Sequence, residues 1–225
     1  MTDWSKSMTQ TFEYYTVNPT TWKDVDLLKN VKTSTITRDS SAETLGSASF
    51  DIDDKIGECY IRVYLKAIQN GVTERVPLGT FLLQTQSSTF NGKRETTSIS
   101  AYTPLIELKE NLPDLGYSIF KGENVMDNAK MIIREHARAP VIPVSSGVTL
   151  YGDFVANSDD TWLSFLSDLI ANAKYELGLD ELGQILFLPK QDAMALQPAW
   201  TFTSDNSSIL HTGMSIERDL YGIPN

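Results

Sequence analysis

Within the first hundred residues, short alternating segments are separated by turn signals, and that pattern points to an antiparallel sheet. Leu45 to Asp53 places Ala48, Phe50 and Ile52 on one face and Ser47, Ser49, Asp51 and Asp53 on the other. Glu58 to Ile68 is the strongest apolar run, and Asn70-Gly71 turns it back through Val72 to Val76. Pro77 is expected to limit pairing before Leu78-Gly79-Thr80-Phe81-Leu82-Leu83-Gln84-Thr85-Gln86 resumes. Asn91-Gly92 marks a further hairpin whose second arm is Thr96 to Tyr102. Thr11 to Val17 and Val31 to Thr37 supply two more strands. The sheet is expected to curl into a barrel or sandwich.

At Thr103-Pro104 the period changes. Thr103 is expected to cap a short helix, with Pro104 at its first position and Leu105 to Glu110 as its body. A second helix is expected from Val125 to Ala137, capped by Asn124. A third should follow Ser158-Asp159-Asp160, taken as cap and acidic first turn, because Trp162, Phe165, Leu166, Leu169 and Ile170 share one face. Tyr175 to Leu179 and Gln184 to Leu188 read as a hairpin, and Met214 to Asp219 as a last strand. The fold class is therefore α+β. Residues 1–102 form a β domain, 103–198 a small α+β domain, and 199–225 a C-terminal strand segment.

The chemistry of the sequence is mostly negative. The 13 glycines form no phosphate-binding pattern. One cysteine and two histidines, Cys59, His136 and His211, cannot build a zinc cluster or a disulfide framework. Cys59 reads as a small buried hydrophobe. Asp51, Asp53 and Asp54 are the sharpest carboxylate cluster, either a solvated strand end or a divalent-cation holder without the spacing of an EF-hand loop. No serine sits in a nucleophile elbow. A glycosidase needs only two carboxylates, and no pair stands out. No catalytic residue, metal or cofactor is therefore assigned. The aromatics Phe12, Tyr14, Tyr15, Trp22, Tyr60 and Tyr64 read as strand core first and as a saccharide-stacking face second. A net charge of −10 argues against stable nucleic-acid binding. No apolar run approaches membrane-spanning length, and the first ten residues do not read as a signal peptide, so synthesis in a cytoplasm is expected.

The order of segments carries a resemblance. Val76-Pro77-Leu78-Gly79-Thr80-Phe81-Leu82-Leu83, a hairpin, and then Ser98-Ile99-Ser100-Ala101-Tyr102-Thr103-Pro104-Leu105-Ile106-Glu107-Leu108 resembles the tail-tip hub proteins of phages and phage-derived contractile injection machines. Trp162 to Ile170 followed by Tyr175-Glu176-Leu177 and Gly183-Gln184-Ile185-Leu186-Phe187-Leu188 is similar to a later helix and hairpin of that family. The resemblance spans roughly residues 30–220. It implies a tail-tube-like β domain and a non-enzymatic structural subunit that joins the tail tube to the tip or baseplate and lines the DNA or effector channel. The implied partners are further copies of the chain, as a trimer, with the tail tube, distal tail or baseplate proteins and the tape-measure protein. The implied location is the virion tail tip, after synthesis in the bacterial host cytoplasm. Family members continue into a second tube-like domain that makes a pseudo-sixfold ring. Here His211 to Tyr221 looks like its first strand, so the remainder belongs to a longer chain, to another chain, or to no domain in a smaller relative. The hairpin tips Asn70, Gly71, Asn91 and Gly92 are the candidate interface residues, with solvent-exposed turns as the alternative. A carbohydrate-binding host-recognition module and a cell-wall hydrolase are the rival functions.

Overall fold

A computed structural model describes residues 2–53, 55–90, 92–93, 95–191 and 196–197. The chain divides into two units, Met1–Lys190 and Gln191–Asn225, and the fold described below is that of the first. The expected strand from Met214 to Asp219, and His211, lie outside the described residues.

Seven antiparallel strands form one sheet: β1 (Thr9–Val17), β2 (Asp24–Leu28), β3 (Val31–Arg38), β4 (Gly46–Ile52), β5 (Tyr60–Gln69), β6 (Val72–Phe90) and β7 (Glu95–Tyr102). Their order across the sheet is β2-β1-β5-β6-β7-β4-β3. The two edge strands are consecutive in sequence, separated only by Lys29 and Asn30. Three Cα steps span at most about 11 Å, so the link draws one end of the two outer edges together. The Tyr14 and Ser34 hydroxyls share a 2.8 Å hydrogen bond from β1 to β3. The sheet is therefore open in its hydrogen bonding but rolled like a barrel, with a seam between β2 and β3.

Alternation decides what fills the roll. Ala48, Phe50, Ile52, Ile61, Val63, Phe81, Leu83, Ile99 and Ala101 form a buried cluster, flanked by Tyr14, Leu28, Val31 and Ile36. Phe50 meets Tyr14 and Phe81 edge-to-face at 6.1 and 6.4 Å, the arrangement ring quadrupoles favour. Pro77 does not end its strand. It sits opposite Tyr64 beside a bulge, where a ladder tolerates a missing N–H, and β6 runs on unbroken.

The second layer contains α1 (Ile106–Glu110), β8 (Ser118–Ile119), α2 (Val125–His136), β9 (Phe154–Val155), α3 (Trp162–Ala171), β10 (Tyr175–Leu179) and β11 (Ile185–Pro189). Its core joins Leu105, Leu108, Val125, Met126, Ala129, Ile132 and Ile133 to Phe165, Leu166, Leu169, Ile170 and Phe187. Asn124 caps α2, accepting from the amides of Met126 and Asp127. Two expected caps are corrected. Thr103 does not cap α1, because its buried hydroxyl donates to the Thr44 carbonyl and ties the layer to the β3–β4 loop. α3 is capped by Thr161 in a reciprocal box with Ser164, while Asp160 accepts from Asn157 and Ser164 nearby.

Candidate assembly surfaces and the clamp between the layers

The two hairpin tips are built differently from their surroundings. Asn70 and Gly71 have φ of 49° and 78°, so both occupy the left-handed region that a two-residue turn matched to strand twist requires. A side chain at Gly71 would meet nothing within 4 Å. The N-terminal segment runs beside this tip: the Asp3 amide donates to the Gln69 side chain, and Gln69 donates back to the Asp3 carbonyl. Trp4 stands half exposed next to it. At the other tip Gly92 has φ of 85° and equally open surroundings, beside the largely exposed Phe90. Asn91 lies outside the described residues. β6 connects the two tips, and its 19 residues place them at opposite ends of the sheet, up to about 60 Å apart along the strand. The structure does not bring them together.

The outer face of β5 carries a feature that alternation alone missed. Arg62 sits between the inward-facing Ile61 and Val63 and points outward, yet it is 4% exposed. Its guanidinium donates to Asp24 Oδ1 at 2.8 Å, Thr80 Oγ1 at 2.9 Å and the Leu182 carbonyl at 2.9 Å, with two longer bonds to the Trp22 carbonyl. The Trp22 indole donates to the same Leu182 carbonyl at 2.8 Å. The Tyr64 hydroxyl donates to the other oxygen of Asp24. Arg62 thus fastens the β10–β11 turn to the rolled sheet. Gly183 in that turn has φ of 76°, and a Cβ there would lie 2.7 Å from Thr80 Cβ. The signal in the sequence was an arginine inside an apolar strand.

A second cation joins the sheet to the second layer. Arg138 donates to Glu107 and, at 2.8 Å, to Glu58, and its guanidinium lies 5.1 Å from the Tyr60 ring centre. Burial works against its charge, and the bonds to Glu107 and Glu58 outweigh it, raising the pKa overall. Burial, then the Glu107 charge, pushes the Tyr60 hydroxyl above its usual range. Glu58 and Glu107 converge on one guanidinium, each as an ion pair to Arg138.

The remaining candidates have structural occupations. Asp51 accepts from Thr33 and Ser98 at 2.6 Å each, and the Ser98 bond, then the Thr33 bond, hold its carboxyl below the usual range. Asp53 pairs with Lys32, and Asp54 lies outside the described residues. Among the described residues no group of three or more histidine, cysteine or carboxylate side chains is placed to hold a metal. His136 stacks on Trp162 with ring centres 4.0 Å apart. Burial, then the Glu58 charge, raises the Cys59 thiol to about 11. The aromatics are spread over several surroundings: Tyr14 faces the rolled core, Trp22 and Tyr60 pack together between the layers, Arg75 covers Tyr15 and Tyr64, and Phe12 is exposed.

This architecture has known counterparts. The 43 kDa tail protein of prophage MuSo2 from Shewanella oneidensis aligns with a TM-score of 0.55 over 80% of this chain and 54% of its own, at 13% identity. A tail protein from Neisseria meningitidis MC58 aligns with a TM-score of 0.51 over 79% and 51%, at 16% identity. The chain has the fold of phage tail proteins. It spans about half the length of either structure. No family model matches the chain, and no curated protein sequence matches it.

Proposed function

We propose that the protein is a non-enzymatic structural subunit of a phage tail tip or baseplate hub, joining the tail tube to the tip complex and lining the DNA or effector channel. The observation that carries this reading is the rolled seven-stranded sheet, in the fold of tail proteins, with a hairpin at each end. A subunit in an axial stack needs contacts both above and below, and opposed tips such as Asn70-Gly71 and the one carrying Gly92 suit that task. Lateral contacts would use the outer strands of copies arranged as a trimer. In this reading residues 1–102 are the tube-like domain, 103–198 an α+β domain, and 199–225 the start of a second tube-like domain. Two such domains per copy would turn a threefold assembly into a pseudo-sixfold ring. The net charge of −10 suits a channel along which DNA slides without sticking. Tail tube, distal tail or baseplate proteins and the tape-measure protein are the implied partners, and the virion tail tip is the implied location.

The test is electron microscopy of particles carrying a tag on this chain, with mass photometry of the purified protein. Label at the tail tip and rings of threefold or sixfold symmetry are expected. A strictly monomeric protein that is absent from particles overturns the proposal, as does activity on purified peptidoglycan.

A further inference from the structure

β6 changes partners midway. From Val72 to Leu82 it pairs with β5, and from Leu82 to Phe90 with β7. The last backbone bond on the β5 side is Leu83 N–H to the Cys59 carbonyl, at 3.1 Å. Beyond it, among the described residues, Gln84 to Phe90 pair with no strand on that side; the Gln86 side chain donates to the Ile56 carbonyl of the β4–β5 connection, and the backbone row is a template for another strand. The composition of this edge sets it apart from the outer edges. Asp24 and Asp26 on β2, and Lys32 and Arg38 on β3, put charge on the strands that border solvent. Gln84-Thr85-Gln86-Ser87-Ser88-Thr89-Phe90 carries no charge and no proline, so nothing there repels an incoming strand.

A groove of 620 Å³ begins where β5 leaves off. Leu82, Leu83 and Ile106 contribute apolar lining, and Glu58, Glu107 and Glu110 contribute carboxylates. Arg138 answers Glu58 and Glu107 together, while Glu110 is exposed and makes no ion pair among the described residues. Three carboxylates against one guanidinium leave the groove acidic.

We propose that this groove and the free edge of β6 receive an extended segment of a partner protein, added as a strand and carrying lysine or arginine toward Glu58 and Glu110. The backbone edge selects an extended chain over a helix, because only a strand satisfies successive amides and carbonyls. The carboxylates select a cationic one. A second copy of this chain is the less fitting occupant, since Gln84 to Phe90, the uncharged edge it would pair with, offers Glu58 and Glu110 no cation. The proposal stands apart from the tail reading, because it is tested on the isolated chain and not on particles.

The experiment titrates the full chain, labelled with 15N, with three capped hexapeptides: one alternating lysine and threonine, one alternating glutamate and threonine, and the lysine peptide N-methylated at every second residue. Saturable shifts centred on the amides of Gln84 to Phe90 are expected with the lysine peptide. The glutamate peptide should bind at least about 10-fold more weakly, and N-methylation should abolish binding by removing the edge hydrogen bonds. The double variant Glu58→Lys/Glu110→Lys should reverse the charge preference. Equal binding of the three peptides, shifts centred elsewhere, or no saturable shift overturns the proposal. So does self-association of the peptide-free chain that protects the same amides, because the occupant would then be a second copy.

Discussion

Replacing Arg62 with methionine keeps the packed stem and removes the guanidinium, which isolates the clamp between sheet and second layer. Asp24 then loses its ion pair, and the Thr80 hydroxyl and Leu182 carbonyl each lose a charged donor. Removing one partner of a buried pair costs about 3–5 kcal/mol. The lower end applies here, about 3 kcal/mol, because Asp24 is 26% exposed and keeps the Tyr64 hydroxyl, and Leu182 keeps the Trp22 indole. With a urea dependence of about 2 kcal/mol/M, the unfolding midpoint should fall by about 1–2 M. Asp24→Leu alone should also destabilise, since it leaves a buried guanidinium short of its anion. The double variant should be more stable than the sum of the two losses predicts, by about 1–3 kcal/mol, because the second substitution removes the orphaned charge left by the first. Urea unfolding followed by tryptophan fluorescence and circular dichroism reads all four corners of the cycle. Single losses below about 1 kcal/mol, or strict additivity, would refute the idea that this pair holds the layers together.

Gly183→Ala and Gly71→Ala impose the same left-handed backbone on alanine, at φ of 76° and 78°, but only the first drives a Cβ into Thr80. Gly71→Ala should cost about 1 kcal/mol and Gly183→Ala about 1–3 kcal/mol more in urea unfolding, and equal losses would show that the turn does not sit tightly on β6. Because the Cys59 thiol is raised to about 11, only about one molecule in a thousand carries a thiolate at pH 8. Labelling by an aromatic disulfide should be about 100-fold slower than for a free cysteine and recover in urea; equal rates would contradict the burial. The depressed carboxyl of Asp51 stabilises the fold above its ordinary value of 3.8, and that contribution is lost as pH falls through the lower folded value. Asp51→Asn should therefore destabilise most above the ordinary carboxyl value of 3.8 and approach wild type as pH falls below it, and a pH-independent difference in urea unfolding would disprove the linkage.

How much of the fold was legible can be judged element by element. Ala48, Phe50 and Ile52 announced β4, because one buried face forces a period of two. Asn70-Gly71 placed its hairpin, because few residue pairs accept two left-handed positions in succession. β2 was missed: Asp24-Val25-Asp26-Leu27-Leu28 is a mostly exposed edge strand, and one that buries so little need not advertise a face. The sequence places the cap of α3 within Ser158-Asp159-Asp160, whereas Thr161 performs it, since Ser, Asp and Thr are all competent and only backbone geometry chooses among them.

The boundary between local and tertiary causes runs through the sheet itself. By itself the sequence determined the turn at Asn70-Gly71 and the shared buried face of Ala48, Phe50 and Ile52, because these depend on local sterics and periodicity. Only the tertiary structure decided that the sheet rolls, that β6 exchanges β5 for β7, and that a second layer covers Arg62. Those outcomes rest on contacts between residues as distant in sequence as Trp22 and Leu182, whose pairing no local pattern encodes.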